Sequence, residues 1–249
     1  MDGDAAEHIK DAAKVLSRYC DAVAIRAFPE RRGWGEDRID PIIHAFAEWS
    51  DVPVVNLESA LYHPCQSAAD LMTIEERLGD PTGQPLVISW AYHPKQLPMA
   101  VPNSILLEAA KFGMDIRLAH PEGWELDPEV MAQAESMASA SGGGVQVYNE
   151  LEPALPGARV IYSKSWGSIR NYRHPEEETR LKEPLRGRWR IAERHLAATD
   201  DGFFMHCLPV RRGVVVDADV LDSDRSAAYD EAENRLHVQK ALMLQLLGG

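Results

Sequence analysis

Short β-rich segments alternate with longer amphipathic segments along the chain of 249 residues. The apolar segment 86–92 has the length of a strand, whereas the apolar residues of 64–78 recur at helical spacing. Repeated strand-then-helix order is typical of α/β proteins, in which helices cover parallel sheets. The pattern predicts an α/β fold with strands at 22–25, 52–56, 86–92, 115–119, 145–148, 159–162, 203–205 and 226–229, and with helices at 9–19, 39–49, 64–78, 102–112, 128–140, 188–198 and 231–247.

A break in this pattern at 80–83 (Asp-Pro-Thr-Gly) divides the chain into two parts. A chain of this length is long enough for two lobes of ordinary size. We therefore expect a first lobe at 1–80, closed by the last helix at 231–249, and a second lobe at 81–230. The charged segment 170–186 is expected to be a solvated, mobile loop, with a lid over a site as the alternative.

The charge balance excludes several classes of partner. Lys and Arg number 26 and Asp and Glu number 39, which gives a net charge of −13. Such an acidic chain is a poor candidate for binding nucleic acid or an anionic membrane surface. The sequence contains no apolar run of membrane-spanning length and begins with acidic residues, unlike a signal peptide. With three widely spaced cysteines and no CxxC motif, the chain is expected to be cytoplasmic.

Polar residues follow the predicted strands at their carboxyl ends, where open α/β sheets bind their ligands. The sequence lacks GxGxxG, GxxxxGK[ST], HExxH and GxSxG, so the usual dinucleotide, phosphate, zinc and serine-hydrolase motifs are missing. Three histidines at strand ends favour a binding or catalytic site over isolated structural histidines. The candidate segments are Arg26, 56–59, 63–66, 92–95, 163–167 and 206–209.

Two cysteines lie next to histidines in these segments. Cys65 and Cys207 could be nucleophiles beside His63 and His206, or they could be small buried apolar residues. Adjacent residues of a strand point to opposite faces, so His206 and Cys207 cannot easily form a catalytic dyad. The interpretation of the cysteines as buried apolar residues is therefore favoured. The scattered spacing of His and Cys does not favour a zinc site, and no metal is expected.

Two tetrapeptides carry a resemblance to a known family. His63-Pro64-Cys65-Gln66 and His206-Cys207-Leu208-Pro209 together resemble the signature sequences of the aspartate/ornithine transcarbamylase superfamily. Lys164-Ser165-Trp166-Gly167, Tyr92-His93-Pro94-Lys95 and the segment 230–240 are similar to its N-acetylornithine branch. The similarity extends over essentially the whole chain.

The resemblance implies both a reaction and an assembly. Carbamoyl phosphate and N-acetyl-L-ornithine would give N-acetyl-L-citrulline and phosphate, a step of arginine biosynthesis, without metal or organic cofactor. The first lobe would bind carbamoyl phosphate and the second lobe the acylornithine, in a homotrimer with sites between subunits. A trefoil knot is expected in the second lobe, where the later chain would thread through the loop 95–102. N-succinylornithine or ornithine remains an alternative substrate.

The resemblance also assigns residues. Cys207 and Leu208 would act through their backbone carbonyls, so no thiol chemistry is implied. The carbamoyl phosphate residues are Arg26, His63, Pro64, Cys65, Gln66, Cys207, Leu208 and Arg235, of which Arg26, His63 and Gln66 form the catalytic group. The acylornithine residues are Glu58, His93, Lys164, Leu208 and Arg211.

Three departures from the family pattern leave alternatives open. The phosphate-binding Ser-x-Arg-Thr-Arg motif is missing, so we expect that the chain lacks an amino-terminal part and has little activity by itself. An inactive paralogue and a cysteine-dependent acyltransferase are therefore rival hypotheses. Glu58 precedes His63 by five positions where the family also shows four, so Ser59 is an alternative ligand. The acyl-group discriminator would lie near 5–7 (Ala-Ala-Glu).

Overall fold

The computed structural model describes residues 7–248 and contains two parallel sheets, each at the centre of one lobe. The first sheet consists of β1 (Val23–Arg26) and β2 (Val54–Glu58). It is accompanied by α1 (Ile9–Leu16), α2 (Trp34–Asp37), α3 (Pro41–Trp49) and α4 (Pro64–Leu78). Pro41 and Pro64 stand in the first turns of their helices, where the missing N–H costs nothing.

The second sheet has five parallel strands in the order β5-β4-β3-β6-β7. Its strands are β3 (Pro85–Trp90), β4 (Asp115–Ala119), β5 (Gly144–Tyr148), β6 (Val160–Lys164) and β7 (Phe203–Met205). Helices α5 (Ala100–Lys111), α6 (Pro128–Ser141), α7 (Pro175–Lys182), α8 (Glu193–Ala197) and α9 (Ala218–Leu221) connect and flank them. Residues 86–88 of the central β3 are fully buried, because β4 and β6 pair with both of its edges.

The last helix, α10 (Ala228–Leu246), returns from the second sheet and packs along α4. Asn234 of α10 donates hydrogen bonds to Thr73 Oγ1 at 2.9 Å and to Glu76 Oε2 at 2.7 Å, both on α4. A second connection joins α2 and the residue after it to the start of α6. Asp127 there accepts hydrogen bonds from Trp34 Nε1 at 2.6 Å and from Arg38 Nε at 2.8 Å.

The prediction of a strand at 226–229 is wrong. Ser226 forms only an isolated bridge with Phe204, and the helix α10 begins at Ala228. The helix expected at 188–198 is shorter, since Ile191 forms an isolated parallel bridge with Val216 and α8 covers only Glu193–Ala197. Pairing with a distant segment therefore overrides the helical spacing at the start of this region.

The expectation of a mobile loop at 170–186 is also wrong. This region contains α7 and a 3₁₀ turn at Glu183–Leu185. Three glutamates lie in the first turn of α7 and two basic residues in its last turn, an arrangement that complements the helix dipole. Glu178 and Lys182 are buried and form an ion pair at 2.9 Å within α7. Glu178 Oε2 also accepts a hydrogen bond from the Ser168 N–H at 2.9 Å, which fixes α7 to the lobe.

Among residues 7–248, no helix has the length and apolar character required to cross a membrane.

Candidate active site

Two predicted site residues meet at the carboxyl end of the first sheet. Arg26 is the last residue of β1, and its register partner is Glu58 at the end of β2. Arg26 donates hydrogen bonds to Glu58 Oε2 from Nε at 2.8 Å and from Nη2 at 2.5 Å. The alternative ligand Ser59 instead contacts Asp40 Oδ2 at 2.6 Å through its hydroxyl. Glu58 therefore faces Arg26, whereas the Ser59 side chain supports the loop after β2.

His63 lies at the amino end of α4 and is 5% exposed. Its backbone N–H donates to Ser104 Oγ of α5 at 2.7 Å, which joins the first helix turn to the second lobe. Burial is the largest cause of a pKa of about 3 at His63, and the positive charges of Arg235, Arg26 and Lys164 add to it. His63 is therefore a neutral imidazole at physiological pH, surrounded by cations.

Gln66 connects α4 to α10. Arg235 Nη1 donates to Gln66 Oε1 at 2.9 Å, and Gln66 Nε2 donates to Asp70 Oδ1 at 2.7 Å and to Glu231 Oε1 at 2.9 Å. Gln66 and Arg235 also line an open cleft of about 370 Å³ together with Leu208. Three of the residues that the resemblance assigns to carbamoyl phosphate are thus brought to one cleft.

The opposite side of the site comes from the second sheet. Lys164 is the last residue of β6, and His206 and Cys207 follow β7. Burial and the charge of Lys164 lower the pKa of His206 to about 3, and burial raises the pKa of the Cys207 thiol. The Nδ1 atom of His206 contacts the Cys207 carbonyl. A neutral histidine and a protonated thiol therefore lie near a single ammonium group.

Cys65 has the environment of a buried structural residue. It is 3% exposed, and its Sγ lies 3.7 Å from the Asn56 carbonyl oxygen of β2. Burial raises the pKa of Cys65, which disfavours the thiolate that a nucleophile requires. Pro64 precedes it as the first residue of α4, and both serve to start the helix.

His93 and Arg211 contact each other. Arg211 Nε donates to His93 Nε2 at 3.0 Å, and the backbone carbonyl of Lys95 lies 3.1 Å from His93 Nδ1. The backbone N–H of Lys95 also contacts His93 Nδ1, at 3.0 Å. The two residues thus form one polar pair after β3.

Sequence reasoning missed Asp70, Glu231 and Ser104, which support the site from behind. Asp70 follows Gln66 by four residues and Glu231 precedes Arg235 by four, so each lies on the same helical face as a predicted residue. That spacing was the available signal.

Ala5 and Ala6, expected near the acyl-group discriminator, lie outside the described residues. Within 7–248, no cluster of three His, Cys, Asp or Glu side chains has the geometry of a metal site.

Two family models match most of the chain. Residues 1–76 match the carbamoyl-P binding domain of aspartate/ornithine carbamoyltransferase. Residues 99–246 match the Asp/Orn binding domain of the same family. The two matches follow each other along the chain as the first and second sheets do.

Individual relatives agree with these matches. The chain is 43% identical over 254 residues to N-acetylornithine carbamoyltransferase from Xanthomonas campestris pv. campestris, a match that covers 100% of this chain and 74% of the relative. It is 36% identical to N-succinylornithine carbamoyltransferase from Bacteroides thetaiotaomicron, covering 100% of this chain and 73% of the relative.

A solved structure matches as closely. The crystal structure of acetylornithine transcarbamylase complexed with acetylcitrulline superposes with a TM-score of 0.96 at 43% identity. The match covers 100% of this chain and 75% of that one. The chain belongs to the aspartate/ornithine carbamoyltransferase family.

Proposed function

We propose that the protein transfers the carbamoyl group of carbamoyl phosphate to the side-chain amine of N-acetyl-L-ornithine. The amine nitrogen attacks the carbonyl carbon, the carbon–oxygen bond to phosphate breaks, and the proton lost by the amine is taken up by the leaving phosphate. The products are N-acetyl-L-citrulline and phosphate, and the reaction needs no cofactor. Such a transfer supplies a citrulline derivative for arginine biosynthesis.

The observation that carries this proposal is the charge arrangement around His63. Arg26, Lys164 and Arg235 all act on this buried imidazole. Negative charge grows on the carbonyl oxygen and on the leaving phosphate during attack, and preorganised donors at that position stabilise the transition state. A neutral His63 serves as a hydrogen-bond donor there and does not add a proton to the phosphate.

Binding and orientation provide the rest of the rate enhancement. Gln66 Oε1 faces Arg235 in the cleft, and an acceptor oxygen suits the NH₂ group of carbamoyl phosphate. Cys207 and Leu208 supply backbone carbonyls to the same group. Holding amine and carbonyl together replaces a bimolecular encounter with a reaction between oriented groups.

The acylornithine is assigned mainly to the second lobe, with Glu58 of β2 contributed by the first. We place its polar groups against Glu58, Lys164 and Leu208, with the His93–Arg211 pair as a further contact. The greater identity to the N-acetylornithine relative, 43% against 36%, favours acetyl over succinyl. N-succinylornithine is the second candidate because that relative also aligns over the whole chain.

The organisation of the molecule is part of the proposal. We assign residues 1–80 and 231–249 to the carbamoyl phosphate lobe, since α10 packs along α4, and residues 81–230 to the acylornithine lobe. We further propose a cytoplasmic homotrimer with active sites between subunits. The trefoil knot at loop 95–102 stays a prediction; it would be wrong if the backbone, pulled from both ends, straightened without tangling.

A product analysis tests the function. The protein is expressed from its own gene together with the DNA that precedes it and is mixed with ¹³C-labelled carbamoyl phosphate. N-acetylornithine, N-succinylornithine and ornithine are offered in separate reactions, and the products are identified by mass spectrometry. We expect N-acetylcitrulline to form fastest. Faster N-succinylcitrulline formation would favour the second substrate, and no product from any amine would favour the inactive paralogue.

A further inference from the structure

A buried polar group lies between α4 and α10 behind Gln66. Gln66 and Asp70 lie one turn apart on α4, and Glu231 and Arg235 lie one turn apart on α10. The side chains of Asp70 and Glu231 are 0% exposed, so neither carboxyl reaches the cleft that Gln66 and Arg235 line. Two carboxyls placed behind a ligand-facing amide require an explanation beyond helix packing, because burying them is costly.

The hydrogen bonds of Gln66 give that explanation. Its Nε2 donates one hydrogen to Asp70 Oδ1 at 2.7 Å and the other to Glu231 Oε1 at 2.9 Å. Its Oε1 accepts from Arg235 Nη1 at 2.9 Å. Both hydrogens of the amide are therefore used on the buried side, and the oxygen is left on the side of Arg235.

The opposite orientation of the amide is excluded by its neighbours. Rotation by 180° would place the Gln66 oxygen against the carboxyl oxygens of Asp70 and Glu231 and its NH₂ group against the guanidinium of Arg235. The contact with the Asp70 carboxylate would become an acceptor–acceptor pair and the contact with Arg235 a donor–donor pair, whereas a protonated Glu231 could donate to the rotated oxygen. Asp70 and Arg235 are therefore satisfied by the observed orientation and not by the rotated one.

The charges of the group agree with this arrangement. Burial raises the pKa of both carboxyls, and the neighbouring Asp70 raises that of Glu231 further. Glu231 therefore keeps its proton at neutral pH, and the single negative charge on Asp70 is balanced by Arg235. Tyr162 of β6 and the Cys207 thiol also face the pair, and burial raises the pKa of each, so both remain neutral.

We propose that Asp70 and Glu231 are positioning residues, which hold the Gln66 amide so that its oxygen faces the cleft and accepts a hydrogen bond from the carbamoyl nitrogen. This inference rests on the proposed function, because it takes carbamoyl phosphate as the ligand. The carbamoyl NH₂ group has only hydrogens to offer, so a rotated amide would set a donor against a donor. The two acids act on the ligand only through Gln66.

A double-mutant cycle tests this indirect action. The variant Asp70→Asn/Glu231→Gln keeps the shapes of the side chains and removes both carboxyls. We expect the KM for carbamoyl phosphate to rise about tenfold, the effect of one misaligned hydrogen bond. In a Gln66→Met background, the same two substitutions should change that KM by less than about twofold. An equal rise in both backgrounds would overturn the proposal.

Thr73→Val provides a matched control. Thr73 is buried on α4 and accepts a hydrogen bond from Asn234 of α10 at 2.9 Å, so its loss weakens the same helix contact away from Gln66. We expect lower stability without a change in the KM for carbamoyl phosphate. If the double variant does not fold, Asp70→Asn alone is used with the same two backgrounds, and a rise independent of Gln66 again overturns the proposal.

A spectroscopic measurement separates this inference from the proposed function. The side-chain NH₂ resonances of Gln66 are assigned by their absence in Gln66→Met, in ¹⁵N-labelled protein without ligand. We expect them to shift in the Asp70→Asn/Glu231→Gln variant and to stay unchanged in Thr73→Val. Unshifted resonances contradict the positioning role. Absence of turnover in the unaltered protein contradicts the function and leaves this measurement valid.

Discussion

Arg26 and Glu58 form an ion pair at the end of the first sheet, with two nitrogens of the guanidinium on one carboxylate oxygen. The proposed function assigns Arg26 to carbamoyl phosphate and Glu58 to the acylornithine. One ion pair therefore joins the residues of both substrates. The side chain of Arg26 is 57% exposed, so the pair itself adds about 1 kcal/mol or less to stability.

Glu58→Gln should consequently impair binding more than folding. The neutral amide keeps a hydrogen-bond acceptor for Arg26 but loses the charge that attracts the substrate amine. We expect the KM for N-acetylornithine to rise about tenfold, with a change in unfolding free energy near 1 kcal/mol. Steady-state kinetics and urea denaturation measure the two quantities. Asp51→Asn, which removes the exposed pair with Lys14, is the control and should leave the KM unaltered.

Lys164→Met should weaken acylornithine binding far more than carbamoyl phosphate binding. Lys164 ends β6 and its charge acts on His63, and methionine preserves the apolar part of its side chain. Isothermal titration with each ligand measures the two dissociation constants. Equal loss of affinity for both ligands would show that Lys164 does not discriminate between them.

Asp127→Ala should destabilise the protein strongly. The Asp127 side chain is 2% exposed, pairs with Arg38 and caps α6 through the Glu129 N–H at 2.9 Å. Removing one member of a buried ion pair costs about 3–5 kcal/mol. Urea denaturation checks this value. Glu129→Ala is the matched control, because Glu129 also pairs with Arg38 but is 78% exposed, and its loss should cost less than about 1 kcal/mol.

Buried His206 should make stability depend on pH. Its pKa is about 3 in the folded protein and about 6.5 when unfolded, so the unfolded state binds more protons between these values. The contribution of His206 to the unfolding free energy is therefore fully present above pH 6.5 and is lost as the pH falls towards 3. His206→Asn should flatten the slope of unfolding free energy between pH 6 and 4 by about 1.4 kcal/mol per pH unit. An unchanged slope would contradict the depressed pKa.

Alkylation should leave the activity intact. Cys20 is exposed, whereas Cys65 and Cys207 are buried and have raised pKa values. Iodoacetamide should therefore label Cys20 first, as mass spectrometry of tryptic peptides can show, without loss of turnover. Cys20→Ser should abolish the rapid labelling. Inactivation that parallels modification of Cys65 or Cys207 would instead favour the cysteine-dependent acyltransferase.

The strands β3 and β6 of the second sheet were predictable because their apolar residues are continuous and buried on both sides. Errors occurred where distant contacts decide. Ile191 is extended because it pairs with Val216, and 175–182 is helical although its composition suggested a solvated loop. The pairing of Ile191 with Val216 and the burial of Glu178 and Lys182 leave no periodic signal in the local sequence.

The candidate site was predictable at strand ends and in the two tetrapeptides, as for Lys164 and His63. The supporting residues Asp70 and Glu231 could not be recognised as part of the site. Asp70 and Glu231 resemble ordinary helix residues in the sequence, and their burial results from the packing of two helices far apart in the chain. Apart from their four-residue spacing to Gln66 and Arg235, these supporting residues carry no motif of their own.

The packing of α10 along α4 has a consequence for how the protein is made. Gln66 and Glu231 are 165 residues apart, so the amide of Gln66 gains one of its two buried acceptors only after nearly all of the described chain has left the ribosome. Contacts between such distant segments form slowly, because a long loop must close first. The strands of the second sheet are closer in sequence, so this sheet can assemble before α10 is available to pack against α4. Newly made chains should therefore pass through a stage in which the cleft between α4 and α10 is lined by α4 but not yet by α10.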